Sequence, residues 1–241
     1  MLSNIGGCNS SAVPLLVYYL SFSLSNPDTL VAIGGNNTMR RVAILALAVL
    51  VLTVTLSLGL VDRGIAGPFG LTMGMKPEEV GGKLEKRAKP GVYQTTAVPK
   101  PHKFFEVYYL RFGPKTGLCW VMAVSKPVAT SVSGTELRNE FDQMEERLTA
   151  QYRKGKRYDL LRDGSMLNQP KDFMPGLQKQ DRSLTAIWSV KDGAVMSNYL
   201  QEVWIQACAL SDEKGCIRIW YQFENFEQCE EELKAAENAA L

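Results

Sequence analysis

The sequence predicts an α+β fold: an antiparallel sheet of hairpins with helices packed on one face, preceded by a signal or membrane-anchor helix. Segments 104–112 and 118–124 are rich in aromatic and β-branched residues and flank a Gly-Pro-Lys-Thr-Gly loop, which is typical of a β-hairpin. A second hairpin is predicted over 200–223, and a helix follows each hairpin. Short strands joined by hairpins favour an antiparallel sheet, and helices that cover one face complete the α+β architecture.

The first long helix is predicted to begin at 134–136 and to end near Arg153. Apolar residues recur along it at spacings of four, three and four, which marks a buried face; they are Leu137, Phe141, Met144 and Leu148. The remaining predictions are short helices at 75–80 and 172–177, a strand at 183–190, a proline-containing connection at 90–101 and a last helix at 226–239.

The two hairpin-and-helix units resemble each other. Residues 226–233 (Phe-Glu-Gln-Cys-Glu-Glu-Glu-Leu) are similar to residues 141–148 (Phe-Asp-Gln-Met-Glu-Glu-Arg-Leu), and each hairpin contains a segment beginning Glu-Val. We infer a degenerate tandem duplication with halves at about 67–156 and 157–241. Chance likeness between unrelated segments is the alternative.

An uncharged run at 42–61 dominates the N-terminal part. Sixteen of its twenty residues are apolar, two arginines precede it, and the small residues 64–67 follow. This order predicts that 39–66 is a signal peptide cut after Ala66 or Gly67. The run is also long enough for an uncleaved anchor, which would give membrane contact through 42–61. Residues 1–38 are a doubtful extension, because Met39 before two arginines is a natural initiator; a short membrane-associated segment is the alternative.

Composition and motifs exclude several functions. The formal net charge of +2 gives no reason to expect nucleic-acid binding. The chain has one histidine, His102, in a polar loop, so multi-histidine metal sites are excluded and this lone base is expected to be solvated. The sequence contains no nucleophile elbow, Walker loop or dinucleotide fingerprint. We therefore predict no catalytic, metal-binding or cofactor-binding residues and no cofactor.

The register of the second hairpin follows if Cys208 lies opposite Cys216. One face then carries Trp204 opposite Trp220 and Gln206 opposite Arg218, and is expected to be partly exposed. The other face is expected to meet the core; its pairs are Val203–Tyr221, Ile205–Ile219 and Ala207–Ile217. Trp204, Trp220 and Arg218 form a possible binding surface. A cross-strand pair that only stabilises the sheet is the alternative, and alignment of the two halves would reverse the faces.

Four cysteines follow the leader, and an even count in an exported chain permits two disulfides. Cys208 with Cys216 is the best pair because of the hairpin register, which leaves Cys119 with Cys229. Spacing alone does not choose among the three connectivities, and buried free thiols are the alternative. The spacings lack the paired Cys-x-x-Cys units of structural zinc sites.

The segment Gly-Met-Lys-Pro-Glu-Glu-Val at 74–80, ahead of the 104–124 hairpin, has a partial echo at 172–223. In this layout the chain loosely resembles exported tandem repeat domains of the β-lactamase-inhibitor-protein type and the small outer-membrane-assembly lipoprotein domain. The resemblance implies protein binding without a catalytic site. No lipobox cysteine is present, so it does not extend to lipid anchoring.

We therefore expect an exported, periplasmic or secreted, non-enzymatic protein that binds an unknown protein partner in the cell envelope. One alternative is a carboxylate-dependent hydrolase with a cleft between the two halves. Another is a structural domain anchored in the inner membrane and facing outward.

Overall fold

The computed structural model describes residues 67–239. Nine strands form one sheet: β1 (Glu85–Lys86), β2 (Val92–Thr95), β3 (Phe105–Gly113), β4 (Gly117–Ser125), β5 (Val128–Ala129), β6 (Lys156–Leu161), β7 (Arg182–Ser189), β8 (Leu200–Ser211) and β9 (Lys214–Phe223). Three α-helices accompany them: α1 (Thr135–Tyr152), α2 (Phe173–Gln178) and α3 (Phe226–Asn238). Short 3-10 turns lie at Pro68–Gly70, Pro77–Glu79, Pro170–Asp172 and Val190–Asp192. The α+β class is confirmed.

All the pairings of the sheet are antiparallel, in the order β1-β2-β3-β4-β9-β8-β7-β6, with β5 paired to β9. The two predicted hairpins are β3–β4 and β8–β9. They meet at the centre of the sheet, where β4 pairs with β9 through Val121 opposite Tyr221 and Ala123 opposite Ile219. Long-range pairing of two local hairpins therefore produces one continuous sheet.

One side of the sheet, here called the inner face, carries the main core. Its side chains alternate along the strands with half-buried ones, as period-two geometry requires. The inner face consists of Tyr108, Leu110, Val121, Ala123, Leu184, Ala186, Trp188, Val203, Ile205, Ala207, Ile217, Ile219 and Tyr221. The residues of the second hairpin that are predicted to meet the core are all buried, so the faces derived from its register are confirmed.

Helices α1 and α2 cover the inner face. The apolar residues predicted for α1 are all buried in the main core, together with Phe173, Met174 and Leu177 of α2. Gly134 begins α1 with φ +72°, and a Cβ there would come within 2.1 Å of the Phe173 ring. Gly215 allows a similarly close approach, because its Cβ would lie 2.4 Å from Leu137. Both glycines let the helices pack tightly against their neighbours.

The first turn of α1 is fixed by a carboxylate. Glu136 accepts hydrogen bonds from the Ser131 N–H at 2.7 Å and the Thr130 hydroxyl at 2.9 Å. Thr130 Oγ1 in turn accepts the Leu137 N–H at 3.3 Å. The Ser131 N–H, together with the other donors, lowers the pKa of Glu136 to about 2.

Helix α3 corrects the expectation that the helices pack on one face. It covers the opposite side of the sheet, here called the outer face, at the end of the β3–β4 hairpin. Arg111 lies opposite Trp120 on that side and its guanidinium is 2.7 Å from Glu230 of α3. A register shift after Arg111 places Cys119 beside Trp120, where it meets Cys229. This β-bulge and the cysteine pair direct α3 to the outer face.

The predicted leader at 39–66, its apolar run at 42–61 and the doubtful segment 1–38 lie outside the described residues. Within 67–239, no helix is long and apolar enough to cross a membrane.

Candidate functional site

The register of the β8–β9 hairpin is the one derived from the cysteine spacing. Trp204 lies opposite Trp220, Gln206 opposite Arg218 and Cys208 opposite Cys216. Because Val203, Ile205 and their partners occupy the inner face, these six residues occupy the outer face. The alignment of the two halves that would reverse the faces is therefore wrong at this hairpin.

The two tryptophans form a half-buried stacked pair on the outer face. Their ring centroids are 5.0 Å apart and the ring planes are inclined by 33°. Trp204 Nε1 is buried and has no hydrogen-bond acceptor among residues 67–239. A tryptophan that exposes ring surface in this way offers a large, rigid apolar contact area.

Cross-strand registers extend the tryptophan pair into a longer row. Tyr109 lies opposite Met122, Met122 opposite Trp220, and Trp204 opposite Ile187. These five side chains, here called the outer row, are all half-buried. They lie on the five adjacent strands β3, β4, β9, β8 and β7, so the outer row spans about 19 Å at the usual strand spacing of about 4.8 Å.

Residues of different charge flank the tryptophan pair along the strands. Arg218 and Gln206 lie two residues away on one side, and Gln222 and Glu202 lie two residues away on the other. No carboxylate of the described residues lies within 4 Å of the Arg218 guanidinium. Arg218 is therefore a positive group without an acidic partner in the described part of the chain. At the other side of the tryptophan pair, burial raises the pKa of Glu202, while nearby Lys191 opposes this shift.

Arg218 and Gln206 also line a cleft of about 420 Å³, here called the β7–β8 cleft. The β7–β8 ladder runs from Ser189 opposite Glu202 to Thr185 opposite Gln206, and β8 continues beyond it to Ser211. The cleft opens where this pairing ends. Its polar lining consists of Gln178, Gln180, Arg182, Ser183, Gln206 and Arg218.

The ionic contacts beside the β7–β8 cleft leave an excess of positive charge. Asp159 accepts a hydrogen bond from Arg182 Nε at 2.9 Å and lies 3.6 Å from the Arg138 guanidinium. One carboxylate thus serves two arginines, and Arg218 has none. No carboxylate lines the cleft itself. Its guanidinium, amide and hydroxyl groups suit an anionic group.

The four cysteines come together as two disulfides. The Cα atoms of Cys208 and Cys216 are 5.1 Å apart, and those of Cys119 and Cys229 are 6.3 Å apart. Both separations fall in the range that disulfides require. Two disulfides fit an oxidising compartment of the kind that exported proteins reach.

His102 is not part of an assembled catalytic group in the described residues. Its Nδ1 accepts the main-chain N–H of Phe104 at 3.3 Å, and the main-chain N–H of His102 donates to the Tyr108 hydroxyl at 3.2 Å. Partial burial, and then the charge of Arg147, lower the pKa of His102. No set of three or more metal-ligating His, Cys, Asp or Glu side chains occurs within 67–239.

A second cleft, of about 390 Å³, brings together two carboxylates, Asp163 and Asp181. It lies beside β6 and β7 and is lined by residues 160–163 and 180–183. Asp181 is held at 2.9 Å by Arg162 and accepts the Ser165 hydroxyl at 3.1 Å. Arg162 and Asp181 thus form an ion pair beside the edge strand β6.

The local sequence predicts Trp204, Trp220 and Arg218 as surface candidates but not the rest of the outer row or most of the residues that line the cleft. Tyr109, Met122 and Ile187 join the row only through pairing between separate hairpins, which local spacing does not encode.

Comparisons with family models, characterised proteins and solved structures found no match.

Proposed function

We propose that this chain is an exported, non-enzymatic protein that binds a protein partner in the cell envelope through the outer face of its sheet. The observation that carries the proposal is the outer row, five half-buried apolar side chains on adjacent strands. Each of these side chains keeps part of its surface accessible, and contiguous accessible apolar surface is typical of interaction sites. Tryptophan and arginine, which lie side by side here, are also the residues most enriched in binding hot spots.

The packing of the helices supports the choice of this face. In the described residues α1 and α2 lie on the inner face, and α3 reaches only the β3–β4 end of the outer face. The outer row therefore has no helix of 67–239 above β7, β8 and β9. Half-buried side chains on a hydrogen-bonded sheet have less conformational freedom to lose on binding, which lowers the entropic cost of association.

Export of residues 67–241 after a leader at 39–66 is part of the proposal. The disulfides Cys119–Cys229 and Cys208–Cys216 support an oxidising destination. Intact-mass analysis of the protein from cells tests the leader. A first residue near Gly67 indicates cleavage, and retention of 42–61 indicates an anchored domain.

A tandem duplication of 67–156 and 157–241 also belongs to the proposal. The strand order β2-β3-β4 is mirrored by β7-β8-β9 across the central β4–β9 pair; α1 follows the first hairpin after the short β5, and α3 follows the second. The two helices lie on opposite faces, so the second half has diverged from the first in how its helix packs.

Site-specific photocrosslinking in cells tests the binding face. A photoreactive phenylalanine at Ile187, in the outer row, is expected to give a discrete adduct with one protein, identifiable by mass spectrometry. The matched control at Val195, which is 57% exposed and away from the row, is expected to give none. Trp204→Ala should remove the adduct from Ile187. Adducts of equal yield at both positions, or at Val195 alone, contradict the proposal.

A further inference from the structure

We infer that the β7–β8 cleft binds the carboxylate of an extended acidic segment of the partner, while an apolar residue two positions away in that segment lies on Trp204 and Trp220. This inference rests on the proposed function and assigns the partner's chemistry. It joins the apolar outer row to the neighbouring cleft, which Arg218 and Gln206 line from the outer face.

Charge complementarity supplies the first argument. Arg218 has no carboxylate partner in 67–239, and Arg182 shares its only carboxylate, Asp159, with Arg138. The amides of Gln178, Gln180 and Gln206 and the hydroxyl of Ser183 add neutral donors around the same cleft. A carboxylate placed there would gain charge-assisted hydrogen bonds, whereas an ammonium group would be repelled by the guanidinium groups and would pair only with neutral amide and hydroxyl oxygens.

Spacing supplies the second argument. Arg218 and Trp220 are two residues apart on β9, as are Gln206 and Trp204 on β8, and all four lie on the outer face. Same-face residues of a strand are about 6.7 Å apart. An extended segment with an apolar residue and an acidic residue at positions i and i+2 therefore matches the tryptophan pair and the cleft together.

Separation of β7 from β8 supplies the third argument. Beyond the last pair, Thr185 opposite Gln206, residues 182–184 of β7 and 207–209 of β8 are not paired with each other and border the cleft. The main chain of β8 at 207–209 is therefore not hydrogen-bonded to β7. An extended chain entering the cleft could add main-chain hydrogen bonds there, as in recognition by strand addition.

Four capped peptides test the inference with the purified full chain. Their cores are Leu-Thr-Glu, Leu-Thr-Gln, Leu-Thr-Lys and Thr-Thr-Glu in one common flanking sequence, and binding is measured by calorimetry at low and high salt. The Leu-Thr-Glu peptide is expected to bind roughly tenfold more tightly than the Leu-Thr-Lys peptide, and salt should weaken this preference. Equal affinities for the Glu, Gln and Lys peptides, or no binding of the Glu peptide, overturn the inference.

Charge reversal locates the effect. Arg218→Gln should reduce binding of the Glu peptide to the level of the Gln peptide, and Arg218→Glu should reverse the preference in favour of the Lys peptide. Arg147→Gln, an equal change of charge on the exposed side of α1, is the matched control and should leave affinities unchanged. If the Arg218 variants do not fold, the salt dependence of the wild-type preference still decides.

The outcome separates this inference from the proposed function. If all Leu peptides bind equally and Trp204→Ala abolishes binding, the apolar face is the binding surface and the acidic assignment fails. If the Ile187 photocrosslink is absent, the proposed function itself fails, whatever the peptides do.

Discussion

The inner and outer faces of the sheet both carry tryptophan but bury it differently. Trp188 on the inner face is fully buried, whereas Trp204, its neighbour on β8 facing the other side, is half-buried. Both strands alternate regularly, so the difference arises from what covers each face. Helices α1 and α2 cover the inner face, and α3 covers only one end of the outer face. The placement of the helices therefore decides which side chains of this sheet are buried. The outer row stays partly exposed because α3 does not extend over β7, β8 and β9.

Removal of the Cys119–Cys229 disulfide should cause the largest loss of unfolding free energy, because this bridge holds α3 against the outer face. The bridge joins residues 110 apart, for which the chain-entropy relation gives about 5 kcal/mol. The Cys208–Cys216 bridge joins residues 8 apart and corresponds to about 2.5 kcal/mol. Denaturant unfolding of the two double-alanine variants measures both values. Equal losses from the two variants would show that α3 is not held by its bridge.

Trp188→Ala and Trp204→Ala compare the two faces with the same substitution. The fully buried Trp188 should lose about 3–5 kcal/mol of unfolding free energy, and the half-buried Trp204 about half as much. Chemical denaturation with matched slopes checks the difference. If Trp204→Ala costs as much as Trp188→Ala, the outer tryptophan pair belongs to a second core and is not a free surface.

Glu136→Gln should cause the smallest loss of unfolding free energy, present at neutral pH and lost in acid. The pKa of Glu136 is lowered from 4.5 to about 2 in the folded chain, chiefly by the Ser131 N–H. Its contribution to stability is therefore present above pH 4.5 and is lost as the pH falls towards 2. Unfolding curves of wild type and variant should differ at neutral pH and converge near pH 2. A constant difference across that range would mean that Glu136 acts without its charge.

Local patterns in the sequence predicted the elements that carry strong periodicity. With Cys208 placed opposite Cys216, the alternation of Val203, Ile205 and Ala207 predicted the core-facing side of the second hairpin, and the spacing of Leu137 and Phe141 predicted the buried face of α1. Strand β6 was not predicted, because all its residues are exposed and its sequence, Lys-Arg-Tyr-Asp-Leu-Leu, has no alternation. Strand β2, only four residues long, was hidden in a connection between prolines.

The candidate site was predicted only as far as one hairpin extends. Trp204, Trp220 and Arg218 come from β8 and β9, whose pairing is local. The outer row needs β4 to pair with β9, a contact between residues about one hundred positions apart. The face of α3 depends on the β-bulge at Cys119, which period-two reasoning does not anticipate.

Hydrogen–deuterium exchange of the chain with its crosslink-identified partner tests the central claim most directly, namely that the outer face is the binding surface. Binding is expected to slow amide exchange in β7, β8, β9 and β4, around Ile187, Trp204, Trp220 and Met122, and to leave α1 unchanged. Protection confined to α1 and α2, with the four strands unaffected, would contradict the account.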